Sequence, residues 1–418
     1  MPRAVLLLPK AGYRNDDFLA AAQKLGVEVV PVSDVCHQLA AGWEDSPLTV
    51  RFREAGAAAE ELARAVAPLG PAAVVGVDDL TALVAALAAE RLGLPHNPPE
   101  AVAAARSKQL SRERLRAAGL PVPRFEVVPR DLGGAALDAR WATYPCVVKP
   151  LVLSGSRGVI RADTPAELRT ALARVAALLE SPDVAQRRDP DLARVQIEEF
   201  IPGPEVSLEG LLTRGRLHVL ALFDKPDPLD GPYFEETLYV TPSRHAAPLQ
   251  DAVARAVSLG CAALGLVEGP VHAELRLSPW GPRILEIAAR SIGGLCGRAL
   301  RFGVGVTLEE LVLRHALGSA AEPPPRENRA AGVLMLPIRK RGVLEEVRGV
   351  AAARAVPLIE DVSITAHLRE ELVPLPEGAS YLGFVFARGD TPEQVEAALR
   401  AAGEKIEAVV APRLQVAR

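Results

Sequence analysis

The sequence predicts an α/β chain that continues into α+β modules, and three observations carry that prediction. Short β-branched or leucine-rich runs alternate with helical patterns over residues 1–95, and strand-like runs dominate from Val195 to Arg290. Proline clusters, Pro95, Pro98 and Pro99 and then Pro323, Pro324 and Pro325, mark the two changes of rhythm. The 418 residues exceed one compact domain. The expected division is 1–95, 96–320 with a smaller subdomain at about 120–200, and 321–418.

In the first region the strands are Val5 to Leu8, Val27 to Val32 and Ala72 to Val77, and the helices Asp16 to Leu25, Glu54 to Ala67 and Thr81 to Leu92, with a turn at Leu48 to Phe52. This rhythm belongs to a doubly wound parallel sheet. Its first turn holds one glycine, Gly12, where GxGxxG would be needed, so a nicotinamide site is not expected. A helix is expected from Glu100 through Lys108 to Ala118, closed by Gly119. Extended runs then reach Lys149, a loop follows at Ser154 to Gly158, and a helix begins at Pro165. The last region carries strand-like runs at Val333 to Pro337, Val362 to Ala366 and Gly383 to Ala387 before a helix from Pro392, an α+β appendage beyond a proline-rich linker.

Forty-eight basic against 52 acidic side chains leave a formal net charge of -4, which argues against a nucleic-acid partner. Cys36, Cys146, Cys261 and Cys296 form no CxxC pair, as fits a reducing, cytoplasmic setting without a disulfide framework. The apolar run before Pro9 is too brief for a signal peptide, and no stretch approaches the roughly 20 apolar residues of a membrane helix.

Five signals fall in order between residues 105 and 295. Lys108 lies in a helical pattern, where an ammonium meets a phosphate as a point charge or is simply solvated. Lys149 ends an apolar strand just before Ser154, Gly155, Ser156, Arg157 and Gly158, small residues whose N–H groups can close on phosphate oxygens. The loop lacks GxxxxGK[ST], and a plain surface turn is its alternative. Glu198, Glu199, Phe200 and Ile201 run into a hinge able to read an adenine edge, and Glu205 beyond it can accept bonds from a ribose diol, unless these are solvated acids at a strand edge.

The sharpest signal is Glu274 and Glu286, each in an apolar strand, with Trp280, Gly281 and Pro282 forming the turn of a hairpin between them. Two partly buried carboxylates facing each other need a cation, and hard oxygen ligands beside phosphates suit Mg²⁺, with Mn²⁺ as the other candidate. Two solvent-side glutamates are the competing reading. His272 is set aside as a packed or hydrogen-bonded core histidine. Last comes Arg290, just past a strand and ahead of Gly293 and Gly294, where a guanidinium can meet a carboxylate or phosphoryl group.

Over residues 1 to about 320 this order resembles the ATP-grasp superfamily, whose nucleotide lies between two α+β subdomains after a Rossmann-like domain. The resemblance implies Lys108 and Lys149 on the phosphates, residues 154–158 as the loop above them, and Glu198, Glu199 and Ile201 at the adenine hinge. It further implies Glu205 as the ribose acid, Glu274 and Glu286 as magnesium ligands, and Arg290 on the transferred phosphoryl group. Many members carry Asn where this chain has Ala288, which puts a second metal ion in doubt. The Glu-x-Ala-Ala-Arg form, the segment Phe223 to Arg244 and the carboxy-terminal region are similar to the L-amino acid ligase branch, relatives of dipeptide and carnosine synthases.

That branch implies ATP-dependent joining of a carboxylate to an amine through an acyl phosphate, with small-molecule substrates, no membrane partner, and a homodimer as the usual assembly. Lys108, Lys149 and Arg157 would then neutralise charge, and Glu235 or Glu236 would bind a substrate ammonium, beside Arg290, Gly293 and Gly294. The rivals are a non-ligating ATP-binding or phosphotransfer protein of the same fold and a purine-pathway or carboxylase-like ligase.

Overall fold

The computed structural model describes residues 1–10, 12–34, 48–187, 189–318 and 322–412; Cys36 lies outside them. Strands β1 (Arg3–Leu8), β2 (Glu28–Ser33), β3 (Leu48–Thr49) and β4 (Ala73–Gly76) form an all-parallel sheet in the order β3-β2-β1-β4. Helices cover both faces, so Val5, Leu6 and Leu7 of β1 are fully buried, as a central parallel strand requires. Helix Asp79–Leu92 starts in a capping box, with the Thr81 N–H donating to the Asp78 carboxylate at 2.8 Å. This cap fixes the first helical turn, and with it Asp79, at the carboxyl end of the sheet.

One expected helix is two. Pro99–Arg106 and Lys108–Ala117 are separated by Ser107, whose extended backbone breaks the helix and whose hydroxyl accepts the Leu110 N–H at 3.3 Å. The break turns the second helix and places Lys108 at its start. Next, β5 (Phe125–Pro129), β6 (Cys146–Pro150), β7 (Ile160–Ala162) and β8 (Arg194–Glu199) make an antiparallel sheet in the order β5-β8-β6-β7, backed by helix Pro165–Leu179.

The central sheet is built first from β9 (Glu205–Thr213), β10 (Arg216–Lys225), β11 (Leu238–Thr241), β12 (Gly269–Ser278) and β13 (Gly281–Ala288). Helix Ala247–Leu264, alanine-rich and opened by Pro248 within a stretch expected to be mostly strand, packs on it closely: a Cβ at Gly260 would stand 2.5 Å from the Ile287 side chain. The carboxy-terminal strands are β14 (Ala330–Leu336), β15 (Gly342–Arg348), β16 (Ile359–Ile364), β17 (Glu371–Leu372), β18 (Gly383–Gly389) and β19 (Glu407–Ala411). Three of them extend the central sheet to eight strands, β13-β12-β9-β10-β11-β14-β18-β16, while β17-β15-β19 form a separate small sheet. Strands on either side of the proline-rich joint therefore share one sheet, and the region after residue 321 is not a detached appendage. No helix among the described residues is long and apolar enough to cross a membrane.

Candidate functional site

A cavity of about 430 Å³ opens where the parallel sheet, the small antiparallel sheet and the central sheet meet. Lys108, Lys149, Ser154, Gly155, Ser156, Glu198, Glu199, Phe200, Ile201, Glu205, Glu236, Glu274, Glu286, Arg290, Gly293 and Gly294 all line it. Residues scattered over nearly 190 positions thus converge on one cleft.

Glu274 and Glu286 are direct partners in the antiparallel β12–β13 pair. The register slips just beyond them, Leu275 pairing with Ile284, so Leu285 is the extra residue of a β-bulge and joins Glu286 at the cavity wall. Bulges re-aim side chains next to reaction centres, and this one turns an apolar strand's acid into the cleft. Ala288 is buried opposite His272 and offers no amide ligand.

Around Glu274 the polar groups form a buried network. Lys225 Nζ lies 2.6 Å from Glu205 Oε1 and 2.9 Å from Glu274 Oε1, and also donates to Glu236. Oxygens of Glu205, Glu236 and Glu274 lie within 4.8 Å of one another, a spacing able to hold a cation. Burial pushes the Glu236 carboxyl up to about 7, aided by the neighbouring Glu274 charge. Burial opposes charge on Glu274 too, but Lys225 and His272 hold it well below the usual carboxylate range. His272 bonds Glu209 through Nδ1 and reaches Glu274 through Nε2 at 3.4 Å. Burial disfavours its protonation, yet Glu209 and Glu274 push it up to about 9. Glu209 in turn accepts the Ile292 N–H at 3.0 Å, which ties the loop after Arg290 to the acidic cluster.

Arg290 Nε lies 2.9 Å from Asp79 Oδ1, and its Nη1 donates to the Ser291 carbonyl at 3.1 Å. Arg14 fastens the same loop through Ser291 Oγ at 2.6 Å and the Ile292 carbonyl at 3.0 Å, anchored by Glu309 at 2.8 Å. Gly294 adopts φ 58°, and a Cβ there would stand 2.8 Å from the Phe384 ring.

At the other end, Lys108 Nζ donates to the Leu153 carbonyl at 2.6 Å, and Lys149 pairs with Glu198. Glu198 also takes Arg112 at 3.1 Å, so two cations share one buried carboxylate. Burial opposes the Glu198 charge, but Arg112 and Lys149 bring it down to about 2; burial lowers Lys149 as well.

Four expectations change here. The Glu198 side chain is consumed by Arg112 and Lys149, and the N–H groups of Glu199 and Phe200 already donate to the carbonyls of Arg124 and Pro145, each at 3.0 Å. The Glu198 carboxylate has therefore spent its acceptors and the Glu199 and Phe200 N–H groups their protons, while Glu199, Phe200 and Ile201 still line the cavity. Glu205, expected to meet a ribose, is held instead by Lys225 and, at 3.3 Å, by Arg276, because it starts a strand beside two basic side chains. Arg157 and Gly158 do not line the cavity: Arg157 pairs with Asp183 at 2.7 Å, and the Gly158 N–H donates to the Pro376 carbonyl at 2.8 Å. Glu235 is also absent from the described lining, which leaves Glu236 as the member of that pair facing the cleft.

Sequence reading missed Arg14, Asp79, Arg112, Glu209 and Lys225. Only Lys225 carried a local signal, a lysine closing the apolar run Val219 to Phe223 within an acid-rich segment.

The chain matches the ATP-grasp domain over residues 142–299 and L-amino acid ligase C-terminal domain 2 over residues 334–411. Carnosine synthase 1 of Gallus gallus is 28% identical over 385 residues, covering 85% of this chain and 41% of that protein. Alanine–anticapsin ligase of Bacillus subtilis (strain 168) is 26% identical over 271 residues, 61% of this chain and 56% of that one. This chain therefore spans only part of the length of these relatives. The crystal structure of an L-amino acid ligase from Bacillus licheniformis superposes with a TM-score of 0.81 at 25% identity, covering 98% of this chain and 99% of that one. Two matched domains and an end-to-end structural likeness agree: the chain carries an ATP-grasp domain and an L-amino acid ligase C-terminal domain on the fold of an L-amino acid ligase.

Proposed function

We propose that the protein joins a carboxylic or amino acid to an amine or amino acid, using ATP to make an acyl phosphate and releasing ADP and phosphate. The observation that carries this reading is the opposed pair Glu274 and Glu286, set beside Arg290 in a cleft whose far end holds Lys108 and Lys149.

A free carboxylate has no adequate leaving group, so a carboxylate oxygen must first take the γ-phosphoryl group. That step needs positioning and charge neutralisation rather than a covalent nucleophile. Lys108 and Lys149 bind phosphate oxygens, and Arg290, steadied by Asp79, holds the acid and the phosphoryl group in line. The donor set of hard carboxylate oxygens on Glu274 and Glu286 fits Mg²⁺, with the neighbouring cluster held in register by Lys225. When bound, the ion would neutralise phosphate charge. Glu236, rather than Glu235, takes the substrate ammonium. An amine nitrogen then attacks the acyl carbon, the C–O bond to phosphate breaks, and phosphate leaves carrying one oxygen of the original carboxylate.

The test is a screen of ADP release over amino-acid pairs with Mg²⁺. The reading expects release that depends on both members of a pair and is lost in Glu286→Ala. Release indifferent to the amine would favour a non-ligating phosphotransferase.

A further inference from the structure

We infer that Glu377 is a positioning residue for the reaction and that, through it, the carboxy-terminal region holds the glycine-rich loop over the nucleotide end of the cleft. This inference rests on the ligase reading above.

Four bonds join loop 373–382 to the small subdomain. The Gly158 N–H donates to the Pro376 carbonyl at 2.8 Å, and Arg157 Nε donates to the Glu377 carbonyl at 2.7 Å. The Glu377 carboxylate takes Arg174 in a two-pronged pair, Nε to Oε1 at 2.5 Å and Nη2 to Oε2 at 3.0 Å. Arg174 belongs to helix Pro165–Leu179, which backs the sheet carrying Lys149, and it also meets the Tyr233 hydroxyl. A two-pronged guanidinium–carboxylate pair fixes direction as well as distance.

The other end of the latch reaches the cleft. Ala379 and Tyr381, two and four residues beyond Glu377, line the cavity with Ser154, Gly155 and Ser156. The Ala379 carbonyl would stand 3.8 Å from a Cβ at Gly155. Tyr381 also packs on Phe384, 5.9 Å between ring centroids, next to Gly294 in the loop after Arg290. One short segment thus borders the glycine-rich loop directly and reaches the neighbourhood of Gly294 through the packing of Tyr381 on Phe384.

The glycine-rich loop needs such support. Gly155, Ser156 and Gly158 all have positive φ, and the glycines leave the unfastened chain many conformations to lose. Arg157 divides its donors between Asp183 and loop 373–382, and Gly158 gives its N–H to that loop, none of them to the cavity, so their part is to hold Ser154 to Ser156 in place. Glu377 touches no reacting atom; it acts through Arg157 and Arg174.

The experiment measures Glu377→Gln, Arg174→Glu, and the charge-reversed double variant Glu377→Arg with Arg174→Glu, each with Mg²⁺. Because the pair is partly exposed, the expected effect is modest: KM for ATP rises roughly fivefold in each single variant and recovers in the double variant. Amino-acid KM stays within about twofold, and phosphate released per amide formed rises above the wild-type ratio as water reaches the acyl phosphate. Unchanged ATP KM and phosphate-to-amide ratio in well-folded Glu377→Gln would overturn the inference, as would a double variant no better than either single one. ATP affinity by calorimetry separates the two failures. A wild-type protein that binds MgATP but ligates no pair refutes the ligase reading, whereas equal ATP affinity in wild type and Glu377→Gln refutes the latch.

Discussion

The two ends of the cleft solve opposite electrostatic problems. At the Lys149 end two cations, Lys149 and Arg112, share the single carboxylate of Glu198. At the Glu274 end Lys225, Arg276 and a protonated His272 are set against five carboxylates, Glu205, Glu209, Glu236, Glu274 and, opposite it, Glu286. The first end has positive charge to spare and suits an anion; the second has negative charge to spare and suits cations. A triphosphate and its metal laid between them would satisfy both, and an ammonium at Glu236 would be drawn to the acidic end alone. Buried charge left uncompensated is costly, so each imbalance is an argument about what binds there rather than about what stabilises the fold.

The contrast is broken most severely at its acidic end. Glu286→Gln removes a charge while keeping the shape, and ADP release under saturating ATP and substrates should fall by about 10³-fold. A variant retaining near wild-type turnover would remove the carboxylate pair from the chemistry.

At the basic end the effect is on stability. The Glu198 carboxyl is held at about 2, below its ordinary 4.5, so its contribution is complete above about pH 4.5 and is lost as pH falls toward 2. This is worth about 3 kcal/mol. Glu198→Gln should be destabilised at neutral pH and lack that acid-range slope in urea melts, whereas a slope equal to wild type would assign the acid loss elsewhere.

Smaller still is the split within the acidic segment. Glu236→Gln should raise amino-acid KM about tenfold while ATP KM moves less than about twofold, and Glu235→Gln should leave both near wild type. Equal responses to the two substitutions would erase the distinction between them.

The same contrast explains what could be read in advance. The opposition of Glu274 and Glu286 was legible because a hairpin is local: alternating apolar residues on either side of a tight turn, Pro279-Trp280 rather than the expected Trp280 to Pro282, place both acids in neighbouring strands. The parallel sheet was legible for the same reason, each strand and helix announcing its own period. Lys225 at the centre of the acid cluster was not, since its three partners come from β9, from the segment before β11 and from β12. Asp79 and Arg290 lie 211 positions apart and meet only because the first sheet abuts the central one. The break at Ser107 escaped notice because the helical pattern continues across it, and a single capping serine decides the outcome. Glu377 carried no signal at all, for its meaning lies in Arg174 and Arg157, on another subdomain.

The central claim is that a carboxylate oxygen takes the γ-phosphoryl group of ATP before the amine attacks. It is tested most directly by supplying an accepted acid labelled with ¹⁸O in both carboxylate oxygens, together with ATP, Mg²⁺ and the amine, and weighing the phosphate released. Phosphate carrying one ¹⁸O per amide formed is the predicted result; unlabelled phosphate alongside amide formation would contradict it.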